Sequence, residues 1–177
     1  MKKGRGGGPS RAVAEGLRQA LQNEVDGREF YRMAANNAGT DVVRQMFEFL
    51  RQEEERHYEL ILEQAGRMAE GKSPRLVRPV AGKREIRKFS SPLFSPDFVA
   101  RGERAEGEGA ALSIGMTLEK RAIAQFASLR GKVKEDPAAE KLFDGLIAWE
   151  REHLELLTRQ FGQMREMYWE EARFWPF

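Results

Sequence analysis

Two copies of one short motif, Glu-x-x-His, constrain this chain more than any other feature of its sequence. The first copy runs from Glu54 to His57 and the second from Glu150 to His153. The histidines that end the two copies are the only two in the chain. Residues three apart on an α-helix lie one turn apart on the same face, so the carboxylate and imidazole of each copy can reach one metal ion. The motif therefore predicts two helices that each present a metal-binding pair.

The residues around both motifs have helical periodicity. Apolar or small residues recur at steps of three and four in four stretches, which predicts four amphipathic helices. The four predicted inward-facing rows are Val13, Leu17, Ala20, Glu24, Gly27, Tyr31 and Ala34; Val43, Phe47, Leu50, Glu54, His57, Ile61, Ala65 and Met68; Leu112, Gly115, Glu119, Ala122, Phe126, Leu129 and Val133; and Ala139, Phe143, Leu146, Glu150, His153, Leu157, Gln160 and Met164. Every row contains a glutamate where a core residue is expected.

The two halves of the chain repeat each other. Glu24 matches Glu119 with an offset of 95 residues, and the motif that begins at Glu54 matches the one that begins at Glu150 with an offset of 96. Such a repeat predicts two helical hairpins of the same design. Asp136 followed by Pro137 predicts the start of the last helix, and either Thr40 or Asp41 can cap the second.

The pattern divides the chain into three parts. Residues 1–10 are basic and rich in glycine, which predicts a disordered tail, and residues 11–165 form the predicted helical bundle. Within the bundle, residues 71–108 contain several prolines and basic residues and are too long for an ordinary helix-to-helix turn, so we expect a crossover along the bundle. Residues 166–177 form an aromatic C-terminal tail that we expect to pack on the bundle or across a dimer interface.

The glutamates on the inward-facing rows indicate metal chemistry. Four buried carboxylates without compensation would cost several kcal/mol each, on the order of the desolvation of a buried charge, and two divalent cations would neutralise them. One Glu from each of two helices and Glu-x-x-His from each of the other two is the dimetal carboxylate pattern of helical bundles. The alternative is a metal-free bundle whose histidines are satisfied within the core. Three neighbouring acids, Glu53, Glu55 and Glu152, are expected on the solvated face.

Composition excludes several other classes. The chain has no cysteine, so thiolate metal sites and cysteine nucleophiles are excluded, and its net charge of +2 does not indicate nucleic-acid binding. No apolar stretch follows the basic N-terminus and none is long enough to span a membrane, so we expect a cytoplasmic protein without a membrane partner.

The ligand segments also resemble a known family. Glu24 with Phe30 and Tyr31, the Glu54 motif, the segment Gly115 to Lys120 around Glu119, and Trp149 before the Glu150 motif resemble the rubrerythrin branch of the ferritin-like proteins, over about Ala12 to Gln160. The resemblance implies an all-α, ferritin-like four-helix bundle, made of two hairpins joined by the long crossover, with a di-iron centre.

Specific roles follow from that resemblance. It implies that Glu54 and Glu150 bridge the two metals, that Glu24 and Glu119 are terminal ligands, and that His57 and His153 bind one metal each. Two departures are visible: a four-cysteine rubredoxin module is absent, so electrons must come from an external donor, and Ala122 stands where rubrerythrins have an extra glutamate.

Three functions remain open from the sequence. The first is a di-iron oxidoreductase that reacts with hydrogen peroxide or oxygen, in which Glu24, Glu54, Glu119 and Glu150 carry the chemistry. The second is a ferroxidase that handles ferrous iron, and the third is a non-catalytic helical interaction module. The ligand set suits two Fe ions and also accepts Mn or Zn, and we expect a homodimer. Tyr31 is either a hydrogen-bond or electron-transfer partner of a ligand or an aromatic core residue whose hydroxyl finds any hydrogen-bond partner.

Overall fold

The computed structural model describes residues 9–75, 86–89, 93 and 103–171, and in this part of the chain four α-helices and no strand are present. The helices are α1 (Arg11–Asn37), α2 (Asp41–Ala69), α3 (Glu103–Lys132) and α4 (Pro137–Glu171), with one short 3-10 turn at Arg87–Phe89. Helix α1 packs along α2, α3 packs along α4, and α1 also packs against α3. The predicted all-α bundle of two hairpins is therefore confirmed.

The helices begin where side chains satisfy free backbone N–H groups. The hydroxyl of Thr40 accepts a hydrogen bond from the N–H of Val43 at 3.3 Å, so Thr40 rather than Asp41 caps α2. The carboxylate of Asp136 accepts from the N–H of Ala138 at 3.0 Å and caps α4 ahead of Pro137. Helix α2 is followed by Gly71 at a φ of 72°, a left-handed conformation that glycine adopts without strain.

The predicted inward-facing rows are buried with three exceptions. Ala34, Ala65 and Ala122 are only half-buried, while Ala35 and Gln64 are buried beside the first two. Each of these exceptions lies where the row could continue by a step of three or of four, and periodicity alone does not choose between the two. The helix periodicity therefore predicted the core faces but not every member of them.

The polar residues of the rows form one layer between two apolar clusters. One cluster includes Tyr31, Phe47 and Leu112, and the other includes Leu17 and Ile61, with further members of all four helices in each. Along every helix the glutamate and histidine positions fall between the residues of these two clusters. Because apolar packing on both sides holds the helices in register, the polar side chains meet in the middle of the bundle.

Two buried glutamines hold parts of the crossover against the bundle. Gln64 of α2 accepts a hydrogen bond from the backbone N–H of Arg75 at 2.7 Å. Gln160 of α4, which matches Gln64 in the repeat, donates to the carbonyl of Phe89 at 2.8 Å and accepts from the N–H of Leu93 at 3.2 Å. Both side chains lie seven residues after the histidine of their helix, so the repeat extends beyond the ligands.

The helices extend further than the predicted boundaries. Helix α3 begins at Glu103, inside the predicted connection 71–108, and α4 continues to Glu171, past residue 165. No glycine or proline interrupts α4 after Gly162 until Pro176, and the guanidinium of Arg165 lies 4.7 Å from the ring of Trp169 one turn further on. The side chains of Tyr168 and Trp169, which lie on this part of α4, are exposed rather than packed against the bundle.

Three parts of the sequence predictions lie outside the described residues: the disorder of residues 1–8, residues 76–85, 90–92 and 94–102 of the crossover, and residues 172–177 of the aromatic tail. No helix among the described residues has an apolar stretch long enough to cross a bilayer.

Candidate metal centre

Six side chains meet in the polar layer of the bundle, and all six were singled out by the sequence. Helix α1 supplies Glu24, α3 supplies Glu119, and α2 and α4 supply a glutamate and a histidine each; the set is Glu24, Glu54, His57, Glu119, Glu150 and His153. Every one of them is at most 5% exposed. The helix geometry brings the two motifs face to face, as the spacing predicted.

Glu150 lies between the two histidines. Its Oε1 atom is 3.0 Å from Nδ1 of His57, and its Oε2 atom is 3.4 Å from Nδ1 of His153. A carboxylate that offers one oxygen to each of two imidazoles has the arrangement of a bridge between two cation positions. Glu150 is therefore placed where it could bind a cation beside each histidine, and its bridging role stays a prediction.

The other carboxylates divide between the same two positions. Oε2 of Glu24 lies 3.4 Å from Nδ1 of His57, whereas Oε1 of Glu119 and Oε1 of Glu54 lie 3.9 and 4.0 Å from Nδ1 of His153. Two donor atoms bound to one ion at about 2.1 Å are separated by roughly 3.0–3.4 Å, so the spacing around His57 already matches shared coordination. The spacing around His153 is slightly wider.

The residues present fit a pair of metal ions. Within the described part of the chain, Oε2 of Glu24, both ring nitrogens of His57, both oxygens of Glu150 and Nδ1 of His153 are buried without a hydrogen-bond partner. Buried polar atoms are normally paired, and metal coordination would satisfy these. Ligand atoms of Glu54, His57, Glu150 and His153 all lie within 4.8 Å of one another, and carboxylate with imidazole suits Fe, Mn or Zn.

Burial favours the protonated form of three of the four carboxylates in the metal-free site. The pKa values of Glu24, Glu54 and Glu119 are all raised well above the usual value, first because burial removes water from the charged form and then because neighbouring carboxylates repel it. A bound cation would reverse both effects, so metal binding must displace protons from this site.

Glu150 and His153 form the charged pair of the metal-free site. Burial by itself would raise the pKa of Glu150, but His57 and His153 together outweigh it and lower that pKa below the usual range. Burial also opposes the charge on His153, yet the carboxylate of Glu150, 3.4 Å away, and the charges of Glu119 and Glu54 raise its pKa to about 9. The positive charge of the protonated His153 ring therefore compensates part of the carboxylate charge, as a bound metal ion would.

Tyr31 contacts the site directly. Its hydroxyl donates a hydrogen bond to Oε1 of Glu119, and burial together with the charge of Glu119 raises the pKa of Tyr31, so the phenol keeps its proton. The ring fits because Gly115 has no side chain: a Cβ there would lie 3.2 Å from the Tyr31 oxygen and 3.1 Å from Cδ1 of Leu157. The hydroxyl of Tyr31 thus contacts a predicted ligand, while its functional role stays a prediction, and Phe126 has no equivalent hydroxyl.

A narrow opening reaches the carboxylates between α1 and α3. It has a volume of about 80 Å³, and its lining includes Glu24, Gly27, Glu54, Glu119 and Ala122. Gly27 and Ala122 occupy matching positions in the repeat, and a Cβ on Gly27 would lie 3.2 Å from the carboxyl carbon of Glu54. Two small residues therefore leave the metal-facing carboxylates accessible from this side.

One buried acid of the centre was predicted wrongly. Glu53, expected on the solvated face, is only 6% exposed; one of its oxygens pairs with Arg56 and the other lies 3.9 Å from Nε2 of His153. Helix α2 buries a second row, Met46, Phe49 and Glu53, parallel to the first and with the same steps of three and four. That second row was the signal that could have revealed Glu53. By contrast, Glu55 is partly exposed and pairs with Arg28 at 2.6 Å, and Glu152 is also partly exposed.

The fold and the site together define the class of the protein. A helical bundle with a single glutamate on two helices and Glu-x-x-His on the other two belongs to the dimetal carboxylate proteins. Residues 15–161 match the family model named Rubrerythrin, so the chain belongs to the rubrerythrin family and the ferritin-like prediction is confirmed. Neither the comparison with curated proteins nor that with solved structures gave a match. Membership implies a di-iron centre, and the buried Glu–His cluster is a site that can hold metal.

Proposed function

We propose that this protein is a di-iron oxidoreductase that reduces hydrogen peroxide or oxygen with electrons from a separate donor. The observation that carries the proposal is the position of Glu150 between His57 and His153, with buried ligand atoms that lack hydrogen-bond partners among the described residues. Iron in such an oxygen-rich site cycles between the ferrous and ferric states, and two ions together supply two electrons.

The electron count matches the substrate. Cleavage of the O–O bond of hydrogen peroxide consumes two electrons and two protons and yields two water molecules, and reduction of oxygen to peroxide also consumes two of each. The chain has no cysteine and therefore no thiolate iron centre of its own, so the proposal includes an external reductant that returns the two electrons.

The opening between α1 and α3 favours a small substrate. A volume of about 80 Å³ has room for a small molecule such as peroxide or oxygen. Glu24, Glu54 and Glu119 all face this opening, and the hydroxyl of Tyr31 holds one oxygen of Glu119. We propose that Tyr31 orients Glu119 while the substrate reacts on that side.

Iron handling is the second candidate, and the carboxyl groups that line the same opening favour it. Asp26 joins Glu24, Glu54 and Glu119 in the lining, against one basic residue, Arg121. Carboxyl groups release their protons when they bind a cation, so these side chains could bind ferrous iron as it enters, and the iron could be oxidised there for storage or transfer.

The proposal is tested by loading the metal-free protein with ferrous iron under anaerobic conditions and adding hydrogen peroxide. We expect two irons per chain and ferric absorption bands that grow in proportion to the peroxide added, up to one peroxide per iron pair. Glu150→Gln should lose these bands, since an amide oxygen is a much weaker ligand than a carboxylate oxygen. Glu152→Gln, two residues away and partly exposed, is the matched control and should keep them.

The other outcomes distinguish the alternatives. Oxidation of many ferrous ions per chain with oxygen would favour iron handling. An iron-loaded protein that responds to neither peroxide nor oxygen would contradict both redox functions, and a protein that binds no Fe, Mn or Zn would favour the non-catalytic interaction module.

A further inference from the structure

The two histidines of the centre have different neighbours, although the hairpins that carry them repeat each other. The residue before the motif glutamate is Glu53 in α2 and Trp149 in α4, and these two positions match with the offset of 96 residues. Each of them contacts the histidine of the opposite hairpin. The repeat therefore places a carboxylate beside one histidine and an indole beside the other.

Glu53 faces the side of His153 that is turned away from the metal ligands. Its Oε2 lies 3.9 Å from Nε2 of His153, while Nδ1 of the same ring points to Glu54, Glu119 and Glu150. The other oxygen of Glu53 pairs with Arg56, which holds the carboxylate in place. At 3.9 Å the two groups interact through charge rather than through a hydrogen bond.

Trp149 stacks on His57 instead. The two ring centroids are 5.0 Å apart and the ring planes differ by only 2°. Nε2 of His57 is buried and has no hydrogen-bond partner among the residues that the structure describes. An indole face supports the ring by contact but brings no negative charge to that nitrogen.

This difference changes how strongly each histidine binds a cation. An imidazole that coordinates through Nδ1 gains positive charge at its Nε2–H, and a buried carboxylate nearby stabilises that charge. Carboxylates that accept a hydrogen bond from this outer nitrogen also fix the orientation of the ring, and their loss typically lowers metal affinity about 10- to 100-fold. His153 has a carboxylate 3.9 Å from this nitrogen, which acts on it through charge, whereas His57 has Trp149.

On the basis of the proposed metal binding, we infer that Glu53 is a positioning residue that acts through His153 and makes the His153 position the tighter of the two metal positions. The centre then fills in a fixed order, first beside His153 and then beside His57.

The inference is tested by titrating the full-length, metal-free protein with Co²⁺ and following heat and visible absorption. We expect two binding steps of unequal affinity in the unmodified protein, with the tighter step lost in His153→Ala and kept in His57→Ala. Glu53→Gln should weaken the tighter step about 10- to 100-fold and leave the weaker step within about twofold. Glu55→Gln, which removes a charge from the same helix away from both histidines, should change neither step.

A double variant separates positioning from general damage. If Glu53 acts through His153, then adding Glu53→Gln to His153→Ala should cause no further loss in the remaining step. Two equal steps in the unmodified protein, equal weakening of both steps by Glu53→Gln, or a further loss in the double variant would each overturn the inference. Failure of the unmodified protein to bind any metal would instead refute the proposed function and this inference together.

Discussion

At the scale of single residues, the smallest side chains of the centre matter as much as the ligands. Gly27 faces the carboxylate of Glu54 so closely that even a methyl group would lie 3.2 Å from its carboxyl carbon and 3.3 Å from Oε2. Contacts this short require the carboxylate to move by a few tenths of an ångström. Gly27 thus keeps room for the position of Glu54 and for the opening beside it.

We predict that Gly27→Ala lowers metal affinity about tenfold, because a displaced Glu54 no longer meets its partners in the geometry that coordination needs. Competition with a metal-binding indicator dye measures this directly. The control is Gly66→Ala in α2, where a new Cβ meets nothing within 4 Å. That control should keep full affinity and gain up to about 1 kcal/mol of stability from helix propensity. Equal metal affinities in the two variants would show that Glu54 tolerates the shift.

Single residues also show what the sequence could predict about the site. Glu24 and Glu119 were found because they interrupt apolar rows, a signal that periodicity makes visible. Glu53 was missed because it lies one position before Glu54, on the flank of the inward-facing row. Whether a residue on this flank is buried depends on how much of the helix surface the neighbouring helices cover. The contact of Tyr31 with Glu119 was foreseen only as one of two alternatives, since it depends on the space that Gly115 leaves.

At the scale of the secondary-structure elements, the crossover is attached to the helices by side chains rather than by an apolar face alone. Gln160 is fully buried and holds the backbone of the crossover at Phe89 and Leu93. The ring of Phe89 packs 5.7 Å from that of Phe49, whose ring in turn lies 6.5 Å from that of His153. The described turn at Phe89 therefore lies on the His153 side of the centre.

We predict that Gln160→Ala destabilises the protein by about 2 kcal/mol, because two hydrogen bonds are lost and the buried carbonyl of Phe89 is left without its partner. A urea unfolding curve measures the change as a lower midpoint. Gln52→Ala, whose side chain is exposed and bonds only within α2, should stay within about 0.5 kcal/mol of the parent. If the two variants unfolded at the same urea concentration, the bonds of Gln160 would not stabilise the fold.

The extent of the elements could be predicted only where the sequence contains a stop signal. Asp136 with Pro137 marked the start of α4, and the connection predicted from residue 71 begins where α2 ends. Nothing comparable lies after Gly162 in α4, so the helix continues into residues that composition alone assigned to a tail. The start of α3 was placed late for the same reason.

At the scale of the whole molecule, a layer of charge divides the apolar core into two clusters. In the metal-free protein, the buried side chains of this layer bind protons instead of metal ions. The raised pKa values of Glu24, Glu54, Glu119 and His153 show this proton binding. The homodimer and the cytoplasmic location stay predictions at this scale.

We predict that the metal-free protein loses stability as the pH rises from about 6.5 to about 9. His153 has a folded pKa of about 9 against 6.5 for a free histidine, so its stabilisation is complete below 6.5 and lost as the pH passes 9. Glu24, Glu54 and Glu119, whose pKa values are raised above 4.5, act in the same direction. Glu150, whose pKa is lowered, acts only at acid pH.

Thermal melting followed by circular dichroism across this range checks the prediction. The melting temperature of the metal-free protein should fall with rising pH, whereas that of the metal-loaded protein should fall less, because bound cations replace the protons. Parallel curves for the two forms would contradict the assignment of these protons to the ligand layer.

The matching hairpins have a consequence for the history of the chain. Each hairpin carries half of the ligand layer, so two copies of a single ancestral hairpin could have assembled the same layer by pairing around a twofold axis. Fusion of the copies into one chain then released each from the requirement to be identical. Glu53 opposite Trp149, and Tyr31 opposite Phe126, are differences that a symmetric pair could not have evolved, and they are where the two halves of this centre have specialised.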